Sequence, residues 1–207
     1  DSTKGWLVTD SGLQSEAQSA KYVTATGGNT VTTSGDFKIH RFTGPGTFCV
    51  SCAGNAQGST TVDYLVVAGG GGGGYFYGGG GGAGGARMSS GTATGNYTAP
   101  LGSGVSALPV TASPFPVTVG AGGGGAQTGT PNDPLGYTGI TGGNSIFAGT
   151  TTITSAGGGG GAGRNGTAVN GNAGGSGGGG TNGGTGSTGS GGAGNTPSTA
   201  PAQGQPG

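Results

Sequence analysis

The chain is predicted to be all-β with a second, rarer backbone form. A small antiparallel β module, sandwich-like, is followed by a bundle of polyglycine-II rods joined by loops, with essentially no helix. Three observations predict this. Glycine supplies 60 of 207 residues, much of it in unbroken blocks. In three places a β-prone segment runs through an alanine straight into such a block. They are Val62-Asp63-Tyr64-Leu65-Val66-Val67-Ala68 into 69–74, Pro116-Val117-Thr118-Val119-Gly120-Ala121 into 122–125, and Thr151-Thr152-Ile153-Thr154-Ser155-Ala156 into 157–161. Finally, no stretch keeps a 3.6-residue apolar period, and Leu and Glu are scarce.

Composition explains why the second form is needed. Hydrophobic residues are 29% and charged residues 6% of the chain. Ordinary domains hold about 25% charged residues and about 7% glycine. Glycine loses more freedom on folding than any other residue and has no side chain to bury. Glycine blocks therefore either stay loose or pack backbone to backbone where only glycine is slim enough to enter. A polyproline-II rod rises ~3.1 Å per residue and makes no internal hydrogen bonds. In a dense bundle its N–H and C=O groups must pair with neighbouring rods. Collagen needs glycine at every third place, and solid blocks argue against it.

Residues 1–20 are polar and read as an extended arm or linker, with one amphipathic patch at Trp6-Leu7-Val8. Asp1, Lys4, Asp10 and Glu16 give this arm a third of all charges. Residues 21–68 form the β module. Tyr22–Thr26 and Thr30–Thr33 are β-prone, and Ser34-Gly35-Asp36 is a turn. Phe37-Lys38-Ile39-His40 alternates, and Phe48, Val50 and Cys52 fall on one face of the next strand. Val62–Val67 reads as a central strand buried on both faces. Segments near 116–119 and 146–154 are candidates to join the module. Residues 69–180 form the rod bundle with its loops. Residues 181–207 are a Gly/Ser/Thr/Pro-rich tail, either further rods or a linker. The chain opens at Asp1 without an initiator Met or signal peptide, which reads as a processed start or a fragment boundary.

Few residues suggest chemistry. Cys49-Val50-Ser51-Cys52 has C-x-x-C spacing, but zinc needs two more ligands and His40 is the one further candidate. A disulfide between Cys49 and Cys52 needs a bend, because residues three apart on a flat strand face opposite ways. Disulfide and two reduced thiols both stay open, with an intermolecular bond as a minor option. His40 reads as a surface strand histidine without an oriented nucleophile. The G-x-G-x-x-G matches in the glycine blocks lack the acidic residue and helix of a dinucleotide site. No catalytic residue, cofactor or metal is expected, and the chain reads as a non-enzyme.

Zero net charge leaves no basic patch for nucleic acid. No apolar run approaches the 18 residues of a membrane-spanning helix. The candidate partner-binding residues are Tyr75, Phe76 and Tyr77 between two glycine blocks, with Tyr97 and Tyr137. Such aromatics either stack on a sugar or protein partner or cap the end of the lattice. Trp6, Leu7 and Val8 are the candidate intersubunit contact, added to a neighbour's sheet or folded back on their own module. Asn96 and Asn165 begin formal N-glycosylation sequons.

The cassettes, in order and spacing, resemble the glycine-rich domains of bacteriophage tail fibres and tail-tip adhesins. The resemblance runs over roughly residues 22–180. It rests on Phe37-Lys38-Ile39-His40-Arg41-Phe42, Gly46-Thr47-Phe48, Thr61 to Gly71, Ala83 to Arg87, Leu108-Pro109-Val110, Pro114 to Gly120, Asn144 to Phe147 and Ile153 to Gly157. It implies a β module joined to a polyglycine-II sandwich whose loops carry host recognition, and it transfers no receptor-binding residue. The implied protein is a structural or adhesive virion component. It sits on a virion or outside cells as a homo-oligomer, trimer or filament, and meets a host cell-surface glycan or protein. The competing reading is a self-assembling extracellular filament subunit linked through residues 1–20. Circular dichroism should show β and polyproline-II signal; strong helical bands would contradict the predicted fold.

Overall fold

The computed structural model describes residues 21–89, 105–127, 137–163, 169–182, 186 and 188–207, and no helix occurs among them. Strands β1 (Val23–Thr26), β4 (Gly46–Ala53), β9 (Pro114–Thr118), β10 (Ser145–Ala148) and β11 (Thr152–Ser155) make the main sheet in the order β1-β4-β9-β10-β11. Every neighbouring pair is antiparallel. Three smaller antiparallel pairs surround it: β2 (Thr30–Ser34) with β3 (Phe37–Arg41), β5 (Thr61–Val62) with β8 (Leu108–Pro109), and β6 (Leu65–Val67) with β7 (Ala86–Met88).

Period-2 alternation selects the core. Phe48 and Val50 point inward from β4 while Cys49 and Ser51 face out. They meet Ala25, Leu108, Val110, Phe115, Phe147 and Ile153 in one buried cluster. The Phe147 ring stands edge-on to Phe48 at 6.1 Å and to Phe115 at 6.0 Å, an arrangement the ring quadrupole favours. Burying each such side chain is worth about 1.5–3 kcal/mol. The register slips between Thr24 and Ala25, leaving Ser51 as a bulge whose hydroxyl donates to the Thr24 carbonyl. The bulge breaks the alternation after Val50, so Cys52 does not repeat the full burial of Phe48 and Val50.

Val62–Val67 departs from its sequence reading. It is two short strands, β5 and β6, with different partners, and Leu65 and Val67 are 64% and 53% exposed. The break lies at Asp63-Tyr64. The Ser89 hydroxyl donates to Asp63 Oδ1 at 2.6 Å and accepts the Tyr64 N–H at 3.0 Å. A side-chain clasp thus takes a ladder donor that a continuous strand would need.

Strands feed directly into rods. β6, β9 and β11 run on into rods 68–74, 120–126 and 156–163, while rods 78–85 and 137–144 run into β7 and β10. The rods are joined by a threefold hydrogen-bond rhythm. From rod 68–74, the N–H groups of Ala68, Gly71 and Gly74 reach the carbonyls of Gly85, Gly82 and Gly79. Those of Gly69, Gly72 and Tyr75 reach Gly143, Ile140 and Tyr137. Its carbonyls at Gly70 and Gly73 accept from Gly123 and Ala126, and those at Gly69 and Gly72 accept from Gly158 and Gly161. Each residue thus points about 120° from the last, as three residues per turn requires.

Rod 156–163 is the centre. Every residue from Ser155 to Gly163 is buried. It bonds to rods 68–74, 78–85 and 137–144, and also to segments 169–172 and 174–181. The lattice continues past residue 180: Gly189 and Gly192 donate to Thr181 and Gly178, and Gly207 donates to Gly192.

Why glycine is needed here is a question of space, not of torsion. The described glycines with positive φ are Gly27, Gly28, Gly35, Gly54 and Gly186, all outside the rods. A Cβ at Gly159 would strike the Asn172 carbonyl, one at Gly71 the Gly159 carbonyl, and one at Gly160 the Gly139 carbonyl. At Gly80 it would meet nothing within 4 Å.

The strand end of the lattice is closed by Gln203, which is 2% exposed. Its Oε1 accepts the Ala156 N–H at 2.8 Å, its Nε2 donates to the Pro197 carbonyl at 2.8 Å, and its backbone carbonyl accepts from Ala86. Asn195 Oδ1 holds the turn by accepting from the backbone N–H groups of Thr199 and Gln203.

Gly159→Ala should lower stability by at least the ~1–3 kcal/mol of an overpacked core. Gly80→Ala should leave it unchanged or raise it by up to ~1 kcal/mol, since the unfolded chain loses freedom at no steric cost. Thermal melts of both variants check the pair, and equal effects would contradict the steric account.

Candidate functional site

The rods carry few side chains, so chemistry at the far end of the lattice falls to the turns. The turn described there links rods 68–74 and 78–85 through Tyr75-Phe76-Tyr77. It lies about 20 Å from β6 and β7, given seven residues at ~3.1 Å each. Gly74 N–H closes it onto the Gly79 carbonyl at 2.9 Å, and Tyr75 N–H ties it to the Tyr137 carbonyl at 2.9 Å. A Cβ at Gly78 would run into the Gly74 backbone, so the chain folds back within its own width.

That tightness forces an unusual backbone. Phe76 and Tyr77 have φ of 49° and 52°, the left-handed region that costs an L-residue about 1–2 kcal/mol. Glycine would fill both places at lower cost, yet both are aromatic. The rings form a cluster, with Tyr75–Phe76 centroids at 6.3 Å, Tyr75–Tyr137 at 5.9 Å and Phe76–Tyr77 at 4.9 Å. Phe76 is 57% and Tyr77 77% exposed. The structure therefore brings Tyr75, Phe76, Tyr77 and Tyr137 together. Trp6, Leu7, Val8, Asn96, Tyr97 and Asn165 lie outside the described residues.

Charged side chains among the described residues belong to the β module: Lys21, Asp36, Lys38, Arg41, Asp63 and Arg87. The described aromatic turn thus offers π-faces and phenol hydroxyls, while Asp133 and Arg164 lie outside the described residues. In the module, burial pushes the Tyr64 phenol above its usual range, and the Arg87 charge opposes part of that rise.

A family model described as a glycine-rich domain matches residues 43–207. The chain belongs to this glycine-rich domain family. No curated protein and no solved structure matches it. The match begins after β3 and runs through the strands, rods and Gln203 closure.

The remaining candidates in this glycine-rich domain are placed apart. Cys49 and Cys52 both lie on β4 and are not joined by a disulfide. His40 is half-buried rather than a plain surface residue. Its Nδ1 lies 2.7 Å from the Gly27 carbonyl oxygen, and its ring stands edge-on to Phe48 at 5.1 Å. Gln203 and Asn195 escaped sequence reasoning because they sit in a Pro/Gly-rich stretch with no periodicity. No sequence signal gives the left-handed pair in the turn. Cys49 is exposed, so a maleimide reagent should label it in the native protein, and a reductant should leave the melting temperature unchanged. Absence of labelling until reduction would show a disulfide instead.

Proposed function

We propose that this glycine-rich domain is a non-enzymatic structural and adhesive protein, a phage tail-fibre or other virion component. Its rod lattice holds turns rigidly for contact with a host surface. The observation that carries the reading is the Tyr75-Phe76-Tyr77 turn, where two exposed aromatics occupy strained left-handed positions at the lattice end farthest from the β strands. Backbone strain of this kind is characteristic of ligand clamps and other functional sites. Large aromatic rings held in place give contact area at little cost in ordering. Exposed aromatic faces of this kind suit stacking on a cell-surface glycan or an apolar protein patch.

The test uses Phe76→Gly/Tyr77→Gly, because glycine adopts the same backbone without strain. The double variant should keep the parent's circular dichroism and melting temperature, or melt slightly higher. Its binding to intact bacterial cells and to an array of bacterial surface glycans should fall at least tenfold. Unchanged binding, or no binding by the parent to either target, would overturn the adhesive role.

A further inference from the structure

The β2–β3 hairpin is the least supported part of the described fold. All its positions are exposed except His40, which is half-buried. Two-stranded hairpins alone are marginal in water, and gain stability when a third element covers an apolar face. The register defines the two faces. Val31 lies opposite His40 and Thr33 opposite Lys38, while Thr32 lies opposite Ile39 and Ser34 opposite Phe37. Directly opposed residues share a face. His40 turns its face toward Phe48 and the Gly27 carbonyl. The other face carries Phe37 and Ile39, 47% and 49% exposed, with Arg41 beside them.

We propose that Trp6-Leu7-Val8 of the same chain folds back and covers this Phe37/Ile39 face. The first argument is charge. Residues 1–20 carry Asp1, Asp10 and Glu16 against Lys4, whereas residues 21–41 carry Lys21, Lys38 and Arg41 against Asp36. The hairpin itself carries Lys38 and Arg41 against Asp36, with Arg41 on the Phe37/Ile39 face, so a net-negative arm adjoins a net-positive hairpin. The second argument is reach. The arm ends just before Lys21, with Tyr22 between it and β1, and the hairpin leaves the other end of that strand, about 16 Å from Lys21. The stretch of about 15 residues after Trp6 spans up to ~50 Å. A tether of this length holds the segment near millimolar effective concentration, which favours the same chain over a second copy. Trp6-Leu7-Val8 is also the apolar patch of residues 1–20. The cover would shield the apolar face of a hairpin whose edges are open to pairing with other chains. This inference does not rest on the adhesive reading.

Trp6 is the one tryptophan of the chain, so indole fluorescence of the full chain reports on this segment alone. The emission should be blue-shifted from that of an indole in water, and acrylamide should quench it several-fold less. Both values should hold over a hundredfold dilution. Phe37→Thr/Ile39→Thr keeps strand propensity and should return emission and quenching to those of exposed indole. Leu7→Ser/Val8→Ser, which leaves the hairpin intact, should do the same. Water-like emission in the parent overturns the proposal, as does a blue shift that survives Phe37→Thr/Ile39→Thr. A blue shift lost on dilution overturns the intramolecular assignment and gives the contact to a second copy.

Discussion

Backbone-to-backbone hydrogen bonding at distances that exclude a Cβ is the constraint on which this molecule depends. An ordinary domain gains stability by burying side chains, and its backbone bonds are closed within strands and helices. Here the rods close no bonds within themselves. Each borrows its partners from neighbours, so Gly69, Gly71 and Gly72 donate to two different rods, and Gly69 and Gly72 accept from a third. Each bond is worth about 0.5–1.5 kcal/mol net, and no single one decides the fold. The cooperativity lies in rod 156–163, which is buried throughout and bonded on every side.

The β module makes that lattice possible. Rods carry almost no side-chain information with which to choose their partners or their register. The strands have it. Phe48, Phe115, Phe147 and Ile153 fix β4, β9, β10 and β11 by conventional packing. β9, β10 and β11 continue as, or emerge from, rods 120–126, 137–144 and 156–163, while β6 and β7 set rods 68–74 and 78–85. Registration is thus established in the sheet and passed into the glycine segments. Gln203 closes the junction by bonding Ala156 and Ala86, where a rod meets its strand on each side.

The sequence made the general plan legible and left the partnerships hidden. Strand, alanine, glycine block is a local signal, and it located β6, β9 and β11 with the rods that follow them. The inward pair Phe48 and Val50 was visible from alternation, whereas the Ser51 bulge that follows was not. Val62–Val67 looked like one buried strand because its apolar content is high. Its division depends on Ser89, more than twenty residues away, which no local pattern reports. Rod pairing was unreadable for a deeper reason: glycine repeats are interchangeable, so nothing in them distinguishes Gly71 facing Gly82 from any alternative. The candidate site was half legible. Tyr75-Phe76-Tyr77 was conspicuous between glycine blocks, but its left-handed backbone and its contact with Tyr137 emerge from the folding back of one rod on the next.

The threefold rhythm of the rods constrains how such a chain can change length. One residue added or lost inside a rod would turn every later residue by a third of a revolution. Each later donor would then point at the wrong neighbour, and buried residues such as Ala156 and Ala162 would leave the places they fit. Increments of three restore the phase and merely lengthen the rod. The turns carry no such periodicity. Length is therefore free to change at the turns and quantised in the rods, where only steps of three keep the frame in register.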